Sequence, residues 1–175
     1  MNINISWLAG LIDGEGSFTV MVHKDRTRKR FLHVKPIITI SMYTGTGKWV
    51  KRTASIFKII GIKPSCITRK ADYRSNHVFN DSYTIFSVQG KANIRKLSKV
   101  LHPYLTIKKP HAKLFSTWPE KRLIFVVTQT GRLIKYQKNI NEVVSYLRQS
   151  RELNRKFRPS KWTADMVAEY YKNLA

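Results

Sequence analysis

Apolar residues recur along the first hundred positions with two different periods, and each change of period marks an element. Trp7, Leu8, Leu11 and Ile12 fall at helical spacing, and Ser6 ahead of them offers a side-chain oxygen to cap a helix over residues 7–14. Phe18, Val20 and Val22 then alternate with Thr19, Met21 and His23, the period of a strand with one buried and one open face. After a polar turn, Ile38 and Ile40 alternate with Thr39 and Ser41, so the two runs predict a hairpin. Helical spacing returns at Ile56, Phe57 and Ile60 over residues 49–60, and Gly61 predicts the stop. A second strand pair is expected over 65–71 and 83–88. Ile94, Leu97, Leu101 and Leu105 mark a further helix. From residue 112 onward the pattern is mainly helical, broken near Gly131 and Pro159. The fold class is α+β in one domain spanning 1–175, with a core over about 4–127 and a helical C-terminal extension over about 137–175.

Such an order leaves one face of each hairpin uncovered. A strand of about ten residues spans about 33 Å, close to the roughly 34 Å of one duplex turn. A curved sheet of this kind can follow a major groove for about one turn.

Charge sharpens that picture. Of 175 residues, 33 are Lys or Arg and 10 are Asp or Glu, a net charge of +23. Self-repulsion on that scale calls for a polyanionic partner, with nucleic acid the default. A surface selected for heat would raise Glu together with Lys, which this one does not. The cations cluster. Lys24, Arg26, Arg28, Lys29, Arg30 and Lys35 surround the first turn, opposed only by Asp25, and Arg69, Lys70 and Arg74 sit near the second. Lys108, Lys109 and Lys113 form a third group, and Arg151, Arg155, Lys156, Arg158 and Lys161 a fourth. No run approaches the roughly 18 apolar residues of a membrane span, and no basic amphipathic helix suggests a membrane surface. The N-terminus lacks the pattern of a secretion signal. The single cysteine, Cys66, excludes an intrachain disulfide or a multi-cysteine zinc site. These features predict a reduced, intracellular protein, in a prokaryotic cytoplasm or nucleoid or in the organelle of synthesis.

The densest signal is Leu8-Ala9-Gly10-Leu11-Ile12-Asp13-Gly14-Glu15-Gly16-Ser17-Phe18. Gly10 and Gly14 lie four apart with Ser6 one turn earlier, so one helix face carries almost no side-chain volume and a second helix can approach closely. Asp13 and Glu15 follow, although only five acids occur in the first 119 residues. They either end the helix and begin a turn, or hold a hard divalent cation that shares carboxylate and phosphate oxygens. The string resembles the LAGLIDADG motif of homing endonucleases, departing by Gly14 for Ala and Glu15 for the second Asp. The element order is similar to that family's αββαββα core, with its curved antiparallel sheet saddle, followed here by C-terminal helices.

The resemblance implies roles for individual residues. Glu15 takes the place of the metal-binding acid, with the Gly14 carbonyl a further ligand and Asp13 an acid that braces paired motif helices. Lys108, in the stretch 103–109, matches a basic active-site residue. The family's water-ordering glutamine has no equivalent after the second strand, where Tyr43 or Thr44 stands. The implied cofactor is Mg²⁺, with Mn²⁺ as its substitute. One motif per chain implies a homodimer joined through Ser6, Trp7, Gly10, Leu11 and Gly14, since each strand needs its own acid. The implied activity is a staggered, metal-dependent double-strand break in double-stranded DNA. Its target is a pseudo-palindrome of about 20 base pairs, and its role is intron or intein mobility.

By strand phase, Thr19, Met21, His23 and Asp25, and His33, Lys35, Thr39 and Ser41, are expected to face DNA, with Arg69, Tyr83 and Ser87 from the second pair. Arg26, Arg28, Arg30, Lys70 and Lys109 are further expected DNA contacts, and Arg155, Lys156 and Arg158 resemble a family loop that grips the backbone. Two other readings keep the basic surface: a maturase that binds its host intron RNA, and a sequence-specific DNA-binding protein that does not cut.

Overall fold

The computed structural model describes residues 3–24, 32–69, 82–119, 126–127, 133–134, 137–154 and 162–172. Helix α1 (Ile3–Glu15) runs straight into strand β1 (Gly16–Lys24) with no loop between them. Gly16 permits this, because a Cβ there would lie 2.7 Å from the Ile12 carbonyl oxygen. The helix begins before Ser6, which therefore sits inside it and does not cap it. Strand β2 (Leu32–Tyr43) precedes α2 (Lys48–Ile60), which Gly61 ends in the left-handed conformation at φ +70°. The Gly61 N–H donates to the Lys58 carbonyl and the Ile62 N–H to that of Phe57, the paired bonds of a Schellman stop. Strands β3 (Ser65–Arg69) and β4 (Tyr83–Val88) follow, then α3 (Lys91–Leu101) and α4 (Lys109–Ser116).

The sheet is antiparallel with order β1-β2-β4-β3, so β2 and β4 form its centre. Register fixes the faces. Phe18 pairs with Ile38, Ile40 with Phe86, and Ile38 with Val88, and all five are buried under the helices. Leu8, Ala9 and Ile12 of α1, Ile56, Phe57 and Ile60 of α2, and Ile94, Leu97 and Leu101 of α3 complete that core. Pro36 stands inside β2 where only β1 pairs with it, so its missing N–H costs no ladder bond on the other side. The helical layer stops at β4. All five residues of β3 are exposed, and β3 is tied to the centre partly through Thr68, whose hydroxyl lies 3.0 Å from that of buried Thr84.

Two further expectations fail here. The third helix ends at Leu101, ahead of Pro103, so Leu105 reaches the core from the following turn. On either side of the break expected near Gly131, in a stretch expected to be mainly helical, β5 (Val126–Val127) and β6 (Leu133–Ile134) pair as a two-stranded antiparallel ladder. Helices α5 (Gln137–Leu153) and α6 (Ala164–Lys172) supply the C-terminal part. Val144, Leu147, Ala164 and Val167 make a second core that covers Val20, Val22 and Val34 of the first hairpin.

Candidate active site and nucleic-acid interface

The C-terminal end of α1 is held by a loop more than ninety residues away in sequence. The Asp13 carboxylate accepts from the Thr106 N–H at 2.7 Å and from the Lys108 N–H at 2.8 Å. Asp13 thus braces its own chain's loop. In return, the Lys108 ammonium donates to the Ile12 and Asp13 carbonyls at 2.7 and 2.6 Å. These are two of the carbonyls that a helix end leaves unpaired, at the negative end of its dipole. Burial lowers the Lys108 pKa from 10.5, while the charges of Asp13 and Glu15 pull it back up. Among the described residues, one ammonium proton is left over. Asp13→Ala, which strands both loop amides, is expected to cost about 2 kcal/mol of stability. Chemical denaturation would show a lower midpoint at constant slope, and an unmoved midpoint would mean the brace carries no energy.

Glu15 is in a different situation. It is exposed, and no hydrogen bond within the described residues holds its carboxylate. Gly14, beside it, has open space around its Cα. No three His, Cys, Asp or Glu side chains gather into a metal cage among the described residues. One free carboxylate and a terminal helix carbonyl fit Mg²⁺, which keeps waters and shares substrate phosphate oxygens instead of seeking a protein cage.

The outward face of α1 carries Gly10, exposed, with nothing within 4 Å of where a Cβ would be. Ser6, Trp7 and Leu11 are half-buried beside it. Trp7 stacks on Trp49 of α2 at 5.8 Å, and the Arg52 guanidinium lies 4.5 Å from the Trp7 ring. Trp49, half exposed at 50%, opens the helical run expected over 49–60, but the pattern does not single it out, because the helical spacing there is carried by Ile56, Phe57 and Ile60.

On the sheet, the expected DNA-facing residues share one side. The register sets Ser17 beside Thr39, Met21 beside Lys35 and His23 beside His33, and on β4 and β3 it aligns Thr39 with Ser87 and Arg69 with Tyr83. Thr19, Met21, Lys35, Ser41 and Arg69 are exposed, and His23, Thr39, Tyr83 and Ser87 half-buried. Ser41 stands next to the junction that carries Glu15, whereas Tyr43 lies two residues further along β2, opposite Tyr83 and 62% exposed. Ile37 breaks the polar phase and is buried. Lys109 lines an open groove of about 750 Å³ on the outer side of α3 and α4, with Lys99, His102, Thr106 and Lys113. Asp25, Arg26, Arg28, Arg30, Lys70, Arg155, Lys156 and Arg158 lie outside the described residues.

The sequence profile of the LAGLIDADG endonuclease family matches residues 8–109. None of the curated proteins matches the chain. Among solved structures, the homing endonuclease I-CvuI in complex with the I-CreI target superposes with a TM-score of 0.64 at 21% identity, covering 98% of this chain and 94% of that one. The archaeal intron-encoded homing endonuclease I-Vdi141I, complexed with DNA, gives 0.62 at 16% identity over 99% and 97% of the two chains. The homing endonuclease I-TnaI gives 0.53 at 19% over 100% of each. At these identities the likeness is one of fold. The profile, however, spans the motif helix, the four-stranded sheet and the Lys108 loop, and on that match the chain belongs to the LAGLIDADG endonuclease family.

Proposed function

We propose that the protein is a site-specific DNA endonuclease that works as a homodimer, each copy bringing one Glu15 to one strand of a duplex. The observation that carries this reading is the contrast between the two motif acids. Asp13 spends both oxygens on backbone amides. Glu15 is left exposed, beside an open glycine and within reach of the Lys108 charge. An idle carboxylate on the binding side of a +23 protein repels phosphate unless a divalent cation lies between them.

In this reading Glu15, with the Gly14 carbonyl, holds Mg²⁺, or Mn²⁺ in its place. The cation, when bound, neutralises phosphate charge and makes water a stronger nucleophile. Lys108 turns its remaining proton toward the non-bridging oxygen on which charge grows as water attacks phosphorus in line. Ser41 or Tyr43, from the end of β2, orders that water. The packed faces of Ser6, Trp7, Gly10, Leu11 and Gly14 set the two acids about a two-fold axis. Thr19, Met21, His23, Lys35, Thr39, Ser41, Arg69, Tyr83 and Ser87 read base edges, and lysines such as Lys109 contact phosphates. The product is a staggered break that supports the mobility of an intron or intein, and the whole chain, 1–175, acts as one unit.

Purified protein with Mg²⁺ and a library of randomised duplexes tests the proposal. The expected product is DNA cut on both strands at one near-palindromic site of about 20 base pairs. Selective retention of intact duplex would instead identify a binding protein without nuclease activity.

A further inference from the structure

Asn154, the residue after α5, fastens the C-terminal helices to the motif strand. Its backbone N–H donates to the Ser150 and Arg151 carbonyls at 3.2 and 3.0 Å, which fixes where the side chain can reach. Its side-chain amide Nδ2 donates to the Ser150 carbonyl at 2.7 Å and, 136 residues back in the chain, to the Phe18 carbonyl at 3.0 Å. β1 is an edge strand, so an outward carbonyl there has no neighbouring strand to donate to it. Asn154 fills that vacancy three residues beyond Glu15.

The same point is clamped from a third element. The buried Phe18 ring lies 5.9 Å from His111 and edge-on to Phe115 at 5.3 Å, both on α4, the helix that starts directly after Lys108. Burial pushes the His111 pKa below 6.5, against the pull of the neighbouring Asn154 side chain and Leu153 backbone.

Glu15 thus sits between two pins. Asp13 ties the helix before it to the Lys108 loop, while Asn154 ties the strand after it to α5 and the Phe18 ring ties it to α4. We propose that Asn154, together with His111, is a positioning residue for the cleavage step, through which the C-terminal helices set the height of Glu15 relative to Lys108. Misplacement of a catalytic group by about 1 Å costs about a hundredfold in rate.

The inference rests on the endonuclease reading, so its test carries a readout that does not. Asn154→Leu keeps the volume and loses the donors, and Asn154→Gln keeps the donors on a longer stem. Both are compared with the unaltered protein for single-turnover cleavage of the site that protein selects from a randomised duplex library. Affinity for the same duplex is measured in Ca²⁺, and amide hydrogen exchange is followed over residues 16–20. For Asn154→Leu, the expected result is a ten- to hundredfold slower cleavage rate. Affinity should stay within about threefold, exchange in β1 should quicken, and the Gln variant should recover part of the rate. A rate and an exchange profile matching the unaltered protein would overturn the proposal, as would rate and affinity falling in equal proportion. If Asn154→Leu does not fold, the comparison between Gln and Asn decides on the same criteria. Failure of the unaltered protein to cut any duplex removes the nuclease reading, whereas unchanged exchange removes the latch.

Discussion

Glu15→Gln is expected to slow DNA cleavage by at least about a thousandfold, equivalent to about 4 kcal/mol of transition-state stabilisation, while duplex affinity stays within about threefold. The two side chains have nearly the same shape, so the packing of α1 against the sheet is untouched. No bond inside the described residues depends on the Glu15 carboxylate, which is exposed, and the substitution therefore leaves no buried group unpaired. What disappears is a negative charge that a hard divalent cation needs and a neutral amide supplies poorly. Affinity follows the opposite logic, because the net charge rises by one and the repulsion between Glu15 and phosphate ends. Single-turnover cleavage at saturating protein, beside a binding titration at the same salt, separates the two effects. Parallel loss of rate and affinity would make Glu15 a structural acid and leave the phosphodiester chemistry without its metal ligand.

Glu15 stands out in the chain as a candidate because acids are rare in it and because the surrounding string is long. The period-two runs Phe18–Val20–Val22 and Thr19–Met21–His23 likewise sorted one strand into a covered and an open face, and the register carries that sorting across the whole sheet. Local periodicity has no access to the partner of a side chain that pairs at long range. Asp13 could be placed at a helix end, but not its bonds to Thr106 and Lys108, which arise only after α3 has returned to α1. Lys108 could be matched to a family position, but not its grip on two helix carbonyls. Leu105 fits the helical spacing of Leu97 and Leu101 and still leaves the helix, because Pro103 intervenes. Asn154 was invisible as a latch for the same reason as Asp13. An asparagine after a helix reads as an ordinary stop, and only the docked fold brings the Phe18 carbonyl within 3.0 Å.

Gly10→Leu is expected to abolish dimers at micromolar concentration without unfolding the protein. A Cβ at Gly10 meets nothing within 4 Å in the single chain, so a leucine has room in the monomer. Within the helix, leucine is also favoured over glycine by close to 1 kcal/mol, and thermal stability of the monomer should rise or hold. Across the two-fold axis of the proposed dimer the same side chain would enter twice, beside Ser6, Leu11 and the Trp7–Trp49 stack. Overpacking costs about 1–3 kcal/mol for each intrusion, so the dimer dissociation constant should rise about a hundredfold or more. Light scattering across a concentration series reads this directly, and double-strand cutting should fall with the dimer fraction, because a lone chain brings one Glu15 to one strand. A dimer mass that persists in the leucine variant would place the interface on another face. The two Glu15 carboxylates would then have no shared axis through the motif helices, and each chain would be left to nick a single strand.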